Sequence, residues 1–314
     1  MAQLICGVDI SSTTLEASIG ENGAAGHFSN DPAGIDALAA FCRHHKVTLI
    51  AMEATGGYER KSFTRLSQQG LGVAILNPRC VRQFASSVGR LEKTDRIDAG
   101  MIAWFAEVKK SRPTVLAPES QLHVRALVTR LRQLTAVQTS QKNQRRLVTD
   151  SMILASFQQI LDLLKQQIDE LAEQIAALID QDPLWKDLDA SFRSIRGVAD
   201  RTVARLFADL PEIGTLSNKT VSKLAGVAPL ANDSGKHQGK RSVRGGRAPV
   251  RELLFIVASV VARCEPDFIA FRQRLADAGK PPKVIRIAVA HKLLVRLNAK
   301  ARDVRQAKIS ALAA

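Results

Sequence analysis

Leu154, Phe157, Leu161, Leu164, Ile168, Leu171, Ile175 and Leu178 follow one another at alternating steps of three and four. Only an α-helix sets residues at that spacing along one side. The run lasts nearly four heptads, which makes it a coiled-coil seam that closes either within the chain, as a helical hairpin, or between two chains. The seam also divides the sequence. Before residue 110 the pattern alternates short apolar strands with helices, and after residue 183 it is mostly helical.

In the first part, LICGVDIS and LEASIG read as strands separated by the polar turn SSTT, and AGHFSN as a third strand. GIDALAAFCRHH has helical spacing. TLIAMEAT is an apolar strand ending at Glu53 and a Gly56-Gly57 turn. YERKSFTRLSQQG is a helix closed by Gly70, and LGVAILNP is a buried strand ended by Pro78. This order predicts a mixed sheet covered by helices. DRIDAGMIAWFAEV is a helix with acids at its start, where the helix dipole favours them. The break SRPTVLAPES follows. These signals divide the chain into an α/β domain at 1–115, a basic helical coiled-coil region at 116–182 and a mostly α-helical domain at 183–314. Within the last, FRSIRGVADRTVARLFADLPEIG reads as two helices around a tight turn at Gly197, either a helix-hairpin-helix-like element or an ordinary helical hairpin.

The charge balance bounds the partners. The 314 residues carry a formal net charge of +15, which predicts a polyanionic partner such as DNA or RNA. Residues 120–149 hold six cations (Arg125, Arg130, Arg132, Lys142, Arg145, Arg146) and no Asp or Glu. Aromatic residues make up only 4%, too few for base stacking to dominate binding. The four cysteines form no CxxC pair, which argues against zinc ribbons and redox dithiols and fits reduced, mostly buried thiols in a cytosolic protein. The N-terminus shows no basic leader followed by an apolar stretch. The longest apolar run, residues 253–262, falls far short of the ~20 residues of a membrane span and reads as a buried helix.

Against this basic background stand four acids: Asp9 in LICGVDIS, Glu53 at the end of TLIAME, and Asp95 and Asp98 in KTDRIDA. Asp95 and Asp98 share one helix face and repel each other unless a cation lies between them. In a ribonuclease-H-type sheet the first strand lies beside the fourth, which brings Asp9 to Glu53. Such a carboxylate set suits Mg²⁺, which takes oxygen ligands and keeps several waters. Two ions of this kind support an in-line displacement at phosphorus.

A second cluster lies at DSGKHQGKRSVRGGR, residues 233–247. Lys236, Lys240, Arg241, Arg244 and Arg247 face one acid, Asp233, and four glycines let the backbone approach a phosphate closely. Ser234, read alone, is a turn or capping serine. Beside a metal-held phosphate it is also placed to attack phosphorus. Tyr58, the one tyrosine, reads as a packing or capping residue.

The strings GVDIS, EATGGY, KTDRIDA, IRGV and GVAPLANDSGKHQGKR resemble the insertion-sequence transposases with an N-terminal DEDD, RuvC-like domain and a C-terminal serine-bearing domain, described as bridge-RNA-guided recombinases. The resemblance implies metal ligation by Asp9, Glu53, Asp95 and Asp98, with Ser234 as nucleophile forming a transient 5′-phosphoserine bond. It also implies a structured noncoding bridge RNA pairing with donor and target DNA. Homodimers join into tetramers whose composite sites combine the acidic domain of one protomer with the serine domain of another. The setting is bacterial, cytoplasmic and nucleoid-associated on DNA. Read from residues alone, a metal-dependent junction resolvase or nuclease acting by hydrolysis, and a non-enzymatic nucleic-acid-binding protein, remain open alternatives.

Overall fold

Apolar residues at alternate positions dictate how the first sheet is covered. The computed structural model describes residues 4–90, 95–235, 237–239 and 241–313; the side chains of residues 95, 96, 237, 238, 312 and 313 lie outside that description. The chain divides into two compact units, Met1–Ala117 and Pro118–Ala314.

In the first unit, β1 (Ile5–Ile10), β2 (Thr14–Ile19), β3 (Ala25–Ser29), β4 (Leu49–Glu53) and β5 (Val73–Leu76) form one sheet in the order β3-β2-β1-β4-β5. β2 runs antiparallel to β1 and β3 antiparallel to β2, while β4 and β5 run parallel to β1. The first strand therefore does lie beside the fourth. Cys6, Val8 and Ile10 face a layer with Ile35, Leu38 and Cys42 of α1 (Pro32–His44) and Leu66 of α2 (Glu59–Gln68). Ile5, Leu49, Ala51, Ala74 and Leu76 face the opposite layer, with Val81 of α3 (Pro78–Ser87) and Ile102, Ala103 and Ala106 of α4 (Asp95–Val108). Burial on both faces explains why these strands read as unbroken apolar runs.

Gly7 sets the spacing between β1 and α4. A Cβ there would stand 2.0 Å from the Ala99 carbonyl oxygen and 2.5 Å from the Ala103 nitrogen, so only glycine lets the helix backbone lie on the strand. Gly7→Ala is expected to lower unfolding stability in urea by about 3 kcal/mol, the upper end for overpacking, because rigid backbone must move. A midpoint equal to wild type would show that α4 docks differently.

α3 is the element the sequence pattern did not disclose. Pro78 reads as a strand terminator, yet it also opens a helix, with the Asn77 side chain accepting the Arg79 N–H at 2.9 Å as N-cap. Phe84 of α3 packs on Trp104 (5.0 Å) and Phe105 (5.5 Å) of α4, which fixes its inward side.

In the second unit, α5 (Glu119–Arg145) and α6 (Ser151–Gln181) pack on each other across a short connection. Asp150 caps α6, accepting the N–H groups of Met152 (2.8 Å) and Ile153 (3.1 Å). Leu161, Leu164, Ile168 and Ile175 of the seam are buried, as are Val124, Val128, Leu131 and Leu134 of α5. The seam is thus covered from within the chain along most of its length. The same core continues into α7 (Pro183–Arg193), α8 (Asp200–Asp209), α9 (Asn218–Leu224), α10 (Ala248–Cys264), α11 (Pro266–Asp277) and α12 (Pro282–Ala313), so α5 and α6 share a unit with the helices after residue 183. Trp185 stacks on Phe207 at 5.7 Å, and Phe192 meets Phe207 at a tilt at 6.2 Å. The apolar run 253–262 is a helix whose Leu253, Leu254, Val257, Ala258 and Val261 are buried. Among the described residues no helix is long and apolar enough to cross a membrane.

The turn at Gly197 between α7 and α8 takes φ +99°, and a Cβ there would lie 3.2 Å from Val261 of α10. The neighbouring Arg196 N–H donates to Glu265 at 3.1 Å. That amide is satisfied by a carboxylate of the protein itself. Of the cysteines, Cys6 and Cys42 are buried whereas Cys80 and Cys264 are exposed, so the expectation of mostly buried thiols holds for half of them.

Candidate active site

Strand register brings the first two acids together. The last parallel pair between β1 and β4 is Val8 with Met52, so Asp9 and Glu53 come next on adjacent strands, and Glu53 is paired in turn with Leu76 of β5. Asp98 reaches the same place from α4, the helix held against β1 at Gly7. Asp9, Glu53 and Asp98 line one cavity of about 840 Å³, together with Arg79, Arg82 and Arg90. Asp95 opens α4; its side chain lies outside the described residues.

All three carboxylates are partly exposed. Asp9 accepts the Ile10 N–H at 3.0 Å, and each of the three has further interactions. Among the described residues no three His, Cys, Asp or Glu side chains form a ready-made metal cluster. Mg²⁺ does not require one: one or two carboxylates, with waters and a substrate phosphate, complete its octahedron. An all-oxygen donor set around one open cavity fits that cation.

The segment after Glu53 is braced from both sides. Glu59 accepts the N–H groups of Thr55 (3.1 Å) and Gly57 (2.8 Å), closing a turn in which Gly56 and Gly57 take φ +74° and +125°. Asn30 donates to the carbonyls of Ser11 (2.8 Å) and Tyr58 (3.4 Å) and accepts from the Ser62 hydroxyl (3.1 Å), tying the turn after Asp9 to α2. Glu16, opposite Asp9 on β2, is paired with His27 of β3. Tyr58 is 56% exposed and stands at the N-cap of α2 without a capping side-chain hydrogen bond.

Ser234 belongs to a small ribbon in the second unit. β6 (Asp233–Ser234) pairs with β7 (His237–Gln238), and an isolated bridge joins Leu230 to Ser242 below them. The tight turn begins at Gly235 with φ +54°, where an L side chain is strained. Ser234 is therefore exposed beside the tip. Lys236 and Lys240 lie outside the described residues; Arg244 is exposed and Arg241 sits 3.8 Å from Asp233. Arg247 departs from the sequence expectation. Its guanidinium donates twice to Glu212 (2.7 and 2.6 Å) and once to the Asp209 carbonyl (2.9 Å), which makes it the anchor of the loop rather than a free phosphate ligand. Burial pushes the Glu212 carboxyl up, but the Arg247 hydrogen bonds, a backbone N–H and the positive charges of Arg247 and Arg125 together hold it below its ordinary range.

Two family models match the chain. The DEDD-type IS110 model, described as Transposase, matches residues 6–154, and the model described as Transposase IS116/IS110/IS902 family matches residues 189–273. The chain carries IS110 family transposase domains. The first transposase domain takes in Asp9, Glu53, Asp95 and Asp98, and the second takes in Ser234. Pilin gene-inverting proteins of Moraxella bovis and Moraxella lacunata are each 28% identical to the chain over 313 residues, covering 94% of both sequences. Both kinds of match are to DNA-rearranging enzymes. A solved structure titled Thermus thermophilus RuvC covers 35% of this chain and 99% of its own, at 15% identity and a TM-score of 0.27, a likeness too slight to add to the strand order.

The first matched region also contains the basic helix α5. Arg125, Arg130, Arg132, Lys142 and Arg145 are exposed along it, and Arg146 is exposed at its C-cap. The sequence pattern offers no means of finding Arg79, Arg82 and Arg90 at the acidic cavity. For Arg79 and Arg82 the three-residue step in PRCVRQF directly after a strand becomes informative only once that segment is known to be helical.

Proposed function

We propose that this protein is an RNA-guided DNA transposase that cuts and rejoins strands through a 5′-phosphoserine link. The observation that carries the reading is the gathering of Asp9, Glu53 and Asp98 around one cavity inside the region matched by a transposase model. With Asp95, these carboxylates would hold Mg²⁺. The bound cation would supply charge neutralisation at the attacked phosphate. The Ser234 oxygen forms a bond to phosphorus as the bond from phosphorus to the 3′ oxygen breaks. The serine hydroxyl gives up its proton and the departing 3′ oxygen takes one. Reversal by an incoming 3′ hydroxyl restores a DNA strand and frees the serine, so no external energy source is needed.

Exposed cations on α5 and in the serine loop give affinity for nucleic-acid backbones that falls steeply with salt. A chain with 4% aromatic residues leaves sequence choice to pairing with a structured noncoding RNA. The working form is a homodimer that joins into a tetramer, with the acidic domain of one protomer serving the serine of another.

The deciding experiment incubates the protein, Mg²⁺ and DNA bearing the element's ends, with and without RNA transcribed from adjoining noncoding DNA, and resolves the products by denaturing electrophoresis. Protein-linked 5′ ends that require the RNA are expected. Free 5′-phosphate ends with no adduct would replace this reading with a hydrolytic nuclease or resolvase. Binding without cleavage in any divalent metal would leave only a nucleic-acid-binding protein.

A further inference from the structure

We infer that α3 supplies the phosphate grip of the acidic cavity, with Arg79 and Arg82 holding the DNA backbone beside Asp9, Glu53 and Asp98. Arg79 and Arg82 lie three residues apart, hence on one face of the helix, and both line the cavity along with Gln83 and Ser86 of the same face. α3 is fixed through Val81, which is buried, and through Phe84, which meets Trp104 edge-on and Phe105 at a tilt. A helix pinned on its inward side presents its outward side at a set position. The sheet sets that position too, since β5 ends at Leu76, the register partner of Glu53, and α3 starts two residues later.

The charges point to a ligand. Arg90, the third arginine of the cavity, is paired with Glu21 at 3.1 Å. Arg79 and Arg82 are exposed and, among the described residues, take part in no ion pair. These two guanidinium groups stand at the same cavity as the carboxylates that would hold the cation. Guanidinium binds phosphate oxygens in a two-pronged, directional manner, which suits the positioning of a backbone for in-line attack.

This inference rests on the DNA-cleaving reading, and its test separates the two. The full-length protein and the Arg79→Gln/Arg82→Gln double variant are titrated with a fluorescent duplex oligonucleotide over a range of KCl concentrations, without cleavage, in Ca²⁺. The double variant is expected to bind about tenfold more weakly, and the slope of log affinity against log salt is expected to fall by about two, one for each phosphate that is no longer neutralised. Arg79→Lys/Arg82→Lys is expected to restore most of the slope while cleavage in Mg²⁺ stays at least about tenfold slow, because a point charge replaces the two-pronged grip. Unchanged affinity and slope in the Gln variant would overturn the inference and leave the arginines only balancing the carboxylates. Wild-type protein that binds with the full slope but never cuts would overturn the cleavage reading while the slopes still decide the role of α3. Wild-type protein that does not bind DNA overturns both.

Discussion

Asp9→Asn is expected to slow Mg²⁺-dependent strand cleavage about a thousandfold while leaving the fold intact. A metal ion at a phosphoryl centre contributes several kcal/mol of charge stabilisation. Losing about 4 kcal/mol of it corresponds to roughly three powers of ten in rate. Asn keeps the size of Asp and still offers an oxygen to the Ile10 N–H. Asp9 is partly exposed rather than core, so the thermal midpoint should stay within about 2 °C, since surface changes usually stay within ~0.5 kcal/mol. Single-turnover cleavage assays at fixed Mg²⁺, with calorimetry on the same samples, measure both effects. A cleavage rate within about threefold of wild type would remove Asp9 from the site. Full activity in EDTA would remove the metal.

Ser234→Ala is expected to abolish the covalent protein–DNA adduct and to leave DNA affinity within about twofold. Deleting a nucleophile costs far more than deleting any of its neighbours, on the order of a millionfold in the best-measured hydrolase. Adduct should therefore fall below detection. The exposed position of Ser234 beside the ribbon tip means that little packing is lost, and the loop stays tethered through Arg247 and Glu212. Combining Ser234→Ala with Asp9→Asn should be scarcely worse than either alone, because both serve one step. Denaturing gels with end-labelled DNA read this out. An adduct that survives in Ser234→Ala would point to another nucleophile, for which the exposed Tyr58 is the first to test.

The elements that bring Asp9, Glu53 and Asp98 to one cavity are readable in the sequence because they follow local rules. An apolar run leading into a carboxylate announces a strand, with Asp9 inside β1 and Glu53 at the end of β4, and a three-residue step announces a shared helix face, as in Asp95 and Asp98. The seam of α6 is legible for the same reason. α3 is not, since Pro78 signals both the end of β5 and the start of a helix, and a ten-residue amphipathic segment has no inside until a sheet provides one. Arg247 escapes a sequence reading for a related reason. In the sequence it is one more cation in a basic loop, and Glu212, the residue that claims it, stands 35 positions away.

The sequence by itself determined the sheet-forming segments, the long seam, the basic character and which residue types are available for chemistry, because each of these is written in spacing of a few residues or in bulk charge. Tertiary structure alone decided which arginines share a cavity with the acids, which cation is tied up as an anchor, and why residue 7 must be glycine. Those outcomes depend on contacts between segments that are distant along the chain, where distance and register, rather than residue type, select the partner.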